Sequence, residues 1–304
     1  MKPELSMNAT IDRSESSEKL KLTLPTGHIQ ENVMRLLEQI GIKFLSTGRS
    51  YRPVCSDKTI ETKMLKAQNI PSLVALGRHD CGFSGLDWIY EQQADVVELL
   101  DLQFDPVSIV VAMPEQLLPT FQQRKATDPP LIVASEYRKL SDEYIKRENL
   151  NAIFLHAYGA TEALPPEDAD LIIDNTSTGT TLHHNRLKIV AELMQSTTRF
   201  ICNREVLKNP AKRKRLEEMT MLMESTIRAK EKVMLEMNVP TQYFDRVVND
   251  LPCMRAPTIS KLHNDEGYVV KIAVPKSDVP ALIPKLVALG ATDILEFKVE
   301  KIVI

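Results

Sequence analysis

A chain of 304 residues with 43% hydrophobic and 26% charged side chains has the composition of a globular protein and the length for two or three packed units. Its net charge of −3 argues against non-specific nucleic-acid binding, which needs a basic surface, and no apolar run approaches the roughly 20 residues that span a bilayer. Four dispersed cysteines (Cys55, Cys81, Cys202, Cys253) make no CxxC and meet no partnered histidines, so neither a disulfide framework nor a zinc site is expected, and a cytoplasmic location is.

Residues 1–19 are polar, rich in Ser and Glu, without an apolar segment, and read as a disordered tail and not a signal peptide. Lys19 to Pro25 alternates polar and apolar residues as a strand does. Val33, Leu36, Leu37 and Ile40 recur at helical spacing until Gly41 stops them. A strand is expected at Ile60 to Leu65 and a short helix from Asn69-Ile70-Pro71 to Leu76. Asp80 to Ser84 reads as a strand that leads into a helix at Gly85-Leu86-Asp87, and further strands follow at Val96 to Leu102 and Ser108 to Met113.

A second series begins at Pro130, with strands at Leu131 to Ala134, Ala152 to His156 and Leu171 to Ile173 and a helical pattern at Glu143 to Glu148. Thr161 to Asp168 reads as a short helix or loop, Thr181 to Ile189 as a helix, and Val190 to Cys202 as strands. Two series of alternating strands and helices predict two α/β lobes with a cleft between them. The first lobe is assigned residues 20–107 and 186–206, the second 108–185. Residues 207–231 read as one linking helix. Its Lys212-Arg213-Lys214-Arg215 run is followed at once by Glu217 and Glu218 and is expected to be a solvated face. Met219, Met221 and Met223 are expected to pack against a lobe. Residues 232–304 carry the order β-α-β-β-α-β of a ferredoxin-like module, with a hairpin turn at Asn264 to Gly267.

The most informative stretch is Asp170-Leu171-Ile172-Ile173-Asp174, which runs into Asn175-Thr176-Ser177-Thr178-Gly179-Thr180-Thr181-Leu182. An apolar strand ending in an acid, then a hydroxyl-rich turn around a single glycine, then a helix start, turns successive amides toward one point and binds an anion without lysine. Neither a Walker A loop nor a Rossmann fingerprint is present. A 5-phosphate on the amides and hydroxyls of Ser177, Thr178, Gly179, Thr180 and Thr181 leaves Asp174 facing adjoining sugar hydroxyls or a magnesium ion held between them, which suits a phosphorylated ribose. An ordinary Thr-rich helix cap remains the plainer reading of the same residues.

Other segments make the pattern specific. Gly159-Ala160-Thr161-Glu162, Arg49-Ser50-Tyr51-Arg52-Pro53, Ile70-Pro71 with Asp80-Cys81-Gly82-Phe83-Ser84-Gly85-Leu86-Asp87, Val97 to Leu102, and Arg255-Ala256-Pro257-Thr258-Ile259 follow one another in the order seen in one family. Together with the cradle, the chain from about Lys21 to Ile304 resembles ATP phosphoribosyltransferase in its long form with a C-terminal regulatory domain. The resemblance implies a two-lobed, periplasmic-binding-protein-like catalytic unit and a C-terminal ferredoxin-like α+β domain. It further implies transfer of phosphoribose from phosphoribosyl diphosphate to ATP, magnesium, a homohexamer, and feedback inhibition by histidine. It places Glu162 and Asp174 at the ribose hydroxyls or metal, Gly159 and the cradle at the phosphate, and Arg49 and Arg52 at ATP or diphosphate.

The departures from that pattern lie at basic positions. A usual Lys-Gly-Arg is Thr26-Gly27-His28, an arginine position before Val133-Ala134-Ser135 holds Ile132, Lys66 stands for an arginine, and a Gly-Phe-Gly is Gln103-Phe104-Asp105. Removing one preorganised charge-stabilising donor costs roughly 3–4 kcal/mol. A non-catalytic relative that still binds phosphoribosyl diphosphate or nucleotide is therefore the second reading, and a two-lobed small-anion binder the third.

Overall fold

The structure is a computed structural model of the chain and describes residues 19–45, 50–121, 123, 127–252 and 256–304. The tail expected before Lys19, and Arg49, Cys253 and Arg255, lie outside the described residues. The chain forms two compact units divided after Leu216.

In the first unit β1 (Leu20–Thr26) is buried on both faces, with Leu22, Thr23 and Leu24 fully enclosed, as a strand covered by helices must be. Helix α1 (Gln30–Gln39) follows, burying Val33, Leu36 and Leu37. A short ribbon, β2 (Phe44–Leu45) with β3 (Val54–Cys55), precedes β4 (Ile60–Lys66), which lies parallel to β1. Then come α2 (Ile70–Ala75), β5 (Cys81–Gly85), α3 (Leu86–Glu91) and β6 (Val96–Asp101).

The chain next crosses into a second sheet through β7 (Val107–Pro114), α4 (Leu118–Phe121), β8 (Leu131–Ser135), α5 (Arg138–Arg147), β9 (Ala152–His156), β10 (Leu171–Thr176), α6 (Thr180–His184) and β11 (Leu187–Ser196). It returns as β12 (Thr198–Asn203), antiparallel to β5 and β6. Among the described residues the sheet orders are β4-β1-β5-β12-β6 and β11-β7-β10-β8-β9. Two lobes joined by two crossings, 102–106 and 197, give the expected periplasmic-binding-protein-like architecture.

Two expectations are corrected here. The helix after the cradle ends at His184 and does not reach Ile189, because Arg186 takes a positive φ of 54° and turns the chain into a strand. Residues 187–196, assigned to the first lobe, pair antiparallel with β7 and complete the second sheet. Only β12 belongs to the first sheet.

Helix α7 (Pro210–Lys230) carries the chain out of the first unit. Its basic run is not simply a solvated face. Lys212 pairs with Asp80 at 2.8 Å and Arg215 with Asp57 at 2.6 Å, all four side chains largely withdrawn from water. Met219 and Met223 are buried, whereas Met221 is 47% exposed.

The second unit holds β13 (Lys232–Val239), α8 (Phe244–Val248), β14 (Thr258–Lys261), β15 (Tyr268–Pro275), α9 (Val279–Leu289) and β16 (Thr292–Lys298). The sheet order β14-β15-β13-β16, antiparallel throughout, is that of the ferredoxin-like fold. Strict alternation along β13 buries Val233, Leu235, Met237 and Val239 against Val247, Leu282 and Leu286. The last strand stops at Lys298.

Candidate active site

The strand end of β10 opens a polar cavity of about 450 Å³. Sequence-predicted residues Gly159, Glu162, Asp174, Ser177, Thr178, Thr180 and Thr181 line it together, although Gly159 and Thr181 are 22 positions apart. Gly179 makes the turn itself, at φ 74° and ψ −1°, where an L side chain is strained. Its N–H donates to Thr176 Oγ1 at 2.9 Å, and the hydroxyls of Thr178 and Thr180 lie 2.8 Å apart. The turn is thus a ring of hydroxyls with backbone amides behind them. Helix α6 has five residues, too few for much of a dipole, so amides and hydroxyls rather than a helix field carry anion binding here.

Asp174 occupies the strand end. Its Oδ1 accepts from the Asn175 N–H at 2.7 Å, and its Oδ2 accepts from the Thr161 hydroxyl. Burial raises the pKa of this carboxyl above its ordinary value. The two hydrogen bonds work against that rise, and the charges of Glu162 and Glu136 add to it. Three carboxylates therefore share one cavity and repel one another, which is the setting that a cation or a row of sugar hydroxyls relieves. Among the described residues no three acid, His or Cys groups form a protein-only metal cage.

Sequence reasoning missed several lining residues. Glu136 follows β8, and its Oε2 accepts from Gln68 Nε2 of the first lobe at 2.5 Å. His28, noted above only as a departure from a basic motif, reaches the cavity from the loop after β1. Thr161 and Asn175, named above only within their motifs, line the cavity too. The polar residues flanking each predicted element were the available signal, but their partners are distant in sequence.

Arg52 is not brought to the cradle. It sits on a different cavity of about 560 Å³, beside Lys19 and Lys58, with its Nη1 donating to Glu61 Oε1 at 2.8 Å. The glycine-spaced segment around β5 has a packing reason. A Cβ on Gly82 would stand 1.9 Å from Thr23 Oγ1, and one on Gly85 would stand 2.1 Å from Asp87 Oδ1. The second of these glycines makes room for the buried Asp87 carboxylate at the junction of the lobes.

Comparison with known proteins gives the family. A family model described as ATP phosphoribosyltransferase matches residues 66–225, and one described as HisG, C-terminal domain, matches residues 229–301. The chain belongs to the ATP phosphoribosyltransferase family. An ATP phosphoribosyltransferase of Thermodesulfovibrio yellowstonii is 37% identical over 290 residues, spanning 93% of this chain and 98% of the relative. Another, of Prosthecochloris aestuarii, is 37% identical over 295 residues, spanning 95% and 99%. Among solved structures, the ATP phosphoribosyl transferase (HisG:HisZ) complex from Thermotoga maritima aligns with a TM-score of 0.58 at 24% identity. That alignment covers 67% of this chain and 98% of the other, and it supports the fold alone. In this phosphoribosyltransferase-family chain the cradle segment, the Gly159–Glu162 turn and the β5 glycines all fall inside the first matched region.

Proposed function

We propose that the cradle binds the 5-phosphate of phosphoribosyl diphosphate, and that the cavity beside it is where the phosphoribosyl group is transferred to ATP. The activity is that of an ATP phosphoribosyltransferase, a pentosyltransferase acting at the first step of histidine biosynthesis, as family membership over nearly the whole chain supports. The observation that carries the site assignment is the single 450 Å³ cavity that gathers the Gly179 turn, Asp174 and Glu162.

A purine nitrogen of ATP attacks C1 of the sugar and diphosphate leaves, so no covalent protein nucleophile is required. What the chain supplies is position and charge. Thr178, Thr180 and the amides after Gly179 fix the phosphate. Asp174 and Glu162 accept from the ribose hydroxyls and hold negative charge near C1 as the sugar becomes cationic. His28 contributes a polar group from the first lobe to the same cavity.

Magnesium belongs to the proposal. Asp174 and Glu162 would hold it, consistent with an ion that takes one or two carboxylates and otherwise water and substrate oxygens. Bound there, it would neutralise the departing diphosphate. Histidine inhibition, a homohexamer, a cytoplasmic setting and a role for Arg52 toward ATP are proposed on the family resemblance.

Calorimetric titration with phosphoribosyl diphosphate and magnesium tests the cradle. Saturable one-site binding that is lost on replacing Gly179 with a bulky residue is expected. Unchanged affinity in that variant would remove the phosphate from this turn.

A further inference from the structure

A continuous line of hydrogen bonds runs from the junction of the lobes to the acid of the cradle. Ser196 Oγ donates to Asp87 Oδ1 at 2.6 Å and accepts from the Asp87 N–H at 3.1 Å. The Tyr137 hydroxyl donates to Asp87 Oδ2 at 2.8 Å. Asn175 Nδ2 then donates to the Tyr137 oxygen at 3.2 Å and to Asp174 Oδ1 at 3.3 Å. Asp87 and Trp88 sit on α3 of the first lobe, whereas Tyr137, Asn175 and Asp174 belong to the second.

Tyr137 is held at its backbone, ring and hydroxyl. Its ring stacks on Trp88 with centroids 4.6 Å apart, its N–H donates to Ser135 Oγ at 2.8 Å, and it is 1% exposed. Burial and the charge of Asp87 push its pKa well above the ordinary value, so the hydroxyl stays protonated and donates to Asp87. Its lone pair is then free to accept only from the cradle side. On that side Asn175 is exposed, and the Tyr137 oxygen and Asp174 Oδ1 are the two partners of its amide nitrogen. The lobes are held together at this place by a second device. Glu91 at the end of α3 accepts from the N–H groups of Lys139 at 2.7 Å and Leu140 at 3.1 Å in the first turn of α5.

We propose that Tyr137 is a positioning residue for phosphoribosyl transfer: anchored to Asp87 of the first lobe, its hydroxyl orients Asn175, which in turn orients the Asp174 carboxylate toward the sugar. The proposal rests on the cradle reading above. Without the hydroxyl, Asn175 Nδ2 keeps only Asp174 Oδ1 as a partner, and the amide that helps the Asn175 N–H to orient that oxygen is no longer anchored to the first lobe. The consequence falls on the sugar substrate and not on ATP.

Steady-state kinetics of the full chain, with ATP, phosphoribosyl diphosphate and magnesium, test this in wild type, Tyr137→Phe, Asn175→Ala and the double variant. The phenyl ring keeps the Trp88 stack. In Tyr137→Phe the expected result is about a tenfold fall in kcat/KM for phosphoribosyl diphosphate, with KM for ATP within about twofold of wild type. Asn175→Ala should fall by a similar factor, and the double variant no further than the worse single, because both act through one chain of bonds. If Tyr137→Phe does not fold, Asp87→Asn takes its place in the same cycle.

A wild-type rate retained by Tyr137→Phe overturns the proposal, and so does a double variant in which the losses multiply to about a hundredfold, since a merely structural role adds independently. A wild-type protein that binds no phosphoribosyl diphosphate overturns the cradle reading itself. Emission of Trp88, the chain's one tryptophan, checks that the variants keep the stack: it should be native-like in Tyr137→Phe and in Asn175→Ala.

Discussion

Gly179→Ala separates the backbone requirement of the cradle from sterics. A Cβ there meets no atom within 4 Å, so the methyl group itself fits. The cost comes from φ 74°, where an L residue pays about 1–2 kcal/mol. If the turn holds its shape, the fold loses that amount, or roughly 2–8 °C of thermal midpoint for a unit of about 200 residues. If the turn relaxes instead, the competent loop is depopulated by the same energy and affinity for phosphoribosyl diphosphate falls about 5- to 30-fold. Gly41 is the matched control. It too has a positive φ, 90°, and nothing within 4 Å of an added Cβ, but it lies at the end of α1 in the first lobe and not on the cavity. Gly41→Ala should cost similar stability with no change in affinity. Scanning calorimetry and isothermal titration on both variants decide the matter. A stability loss at Gly179→Ala well below that at Gly41→Ala, with affinity still unchanged, would mean that the turn relaxes without consequence and that the amides of 177–181 do not hold the ligand.

Asp174→Asn should raise the thermal midpoint at neutral pH while lowering turnover by about 10²-fold or more. Burial raises this carboxyl's pKa above its unfolded value, so the ionised form costs stability at pH above the folded pKa and that cost vanishes as pH falls through it. The stability gap to Asn should therefore close on acidification toward pH 4, as melts across pH would record. Arg52→Ala removes a solvent-exposed pair with Glu61 and should change the midpoint by no more than about 2 °C and phosphoribosyl diphosphate affinity by no more than about twofold. Gln103 holds φ 57° where relatives in the resemblance carry glycine, so Gln103→Gly should stabilise the fold by up to ~1 kcal/mol in urea titration.

The cradle was legible because it is local. Strand, acid, hydroxyl turn and glycine fall within Leu171–Leu182, and the residues that bind one another there are at most a few positions apart, as Thr176 and Gly179 are. The ferredoxin-like order was legible for the same reason, since each element of residues 232–304 carries its own period, clearest in β13. The extent of α6 was not, because Leu182 and Ile189 stand seven apart, a spacing that a helix shares, while the break is a backbone choice at Arg186 that its side chain does not announce. The lobe assignment of 187–196 depended on pairing with β7 some 80 residues earlier, which no local pattern encodes. The same holds for Asp87 with Ser196, 109 positions apart, and for Lys212 with Asp80, 132 apart. Gln103 and Asp105 show the limit from the other side. Both stand where the resemblance implies glycines, and both take a positive φ, with bonds nearby such as the Thr198 N–H to Phe104 O at 3.0 Å and Asn32 Nδ2 to Asp105 Oδ1 at 2.7 Å.

The central claim is that this cavity transfers phosphoribose to ATP despite Thr26, His28 and Ile132 standing at positions that are basic in the family pattern. It is tested most directly by turnover of the purified full chain with ATP, phosphoribosyl diphosphate and magnesium. Product absorbance is followed while pyrophosphatase removes diphosphate. Product formation that requires both substrates, and that is lost in Asp174→Asn, is the predicted result. Tight binding of phosphoribosyl diphosphate with no product at any ATP concentration would contradict it and leave a binding protein in place of an enzyme.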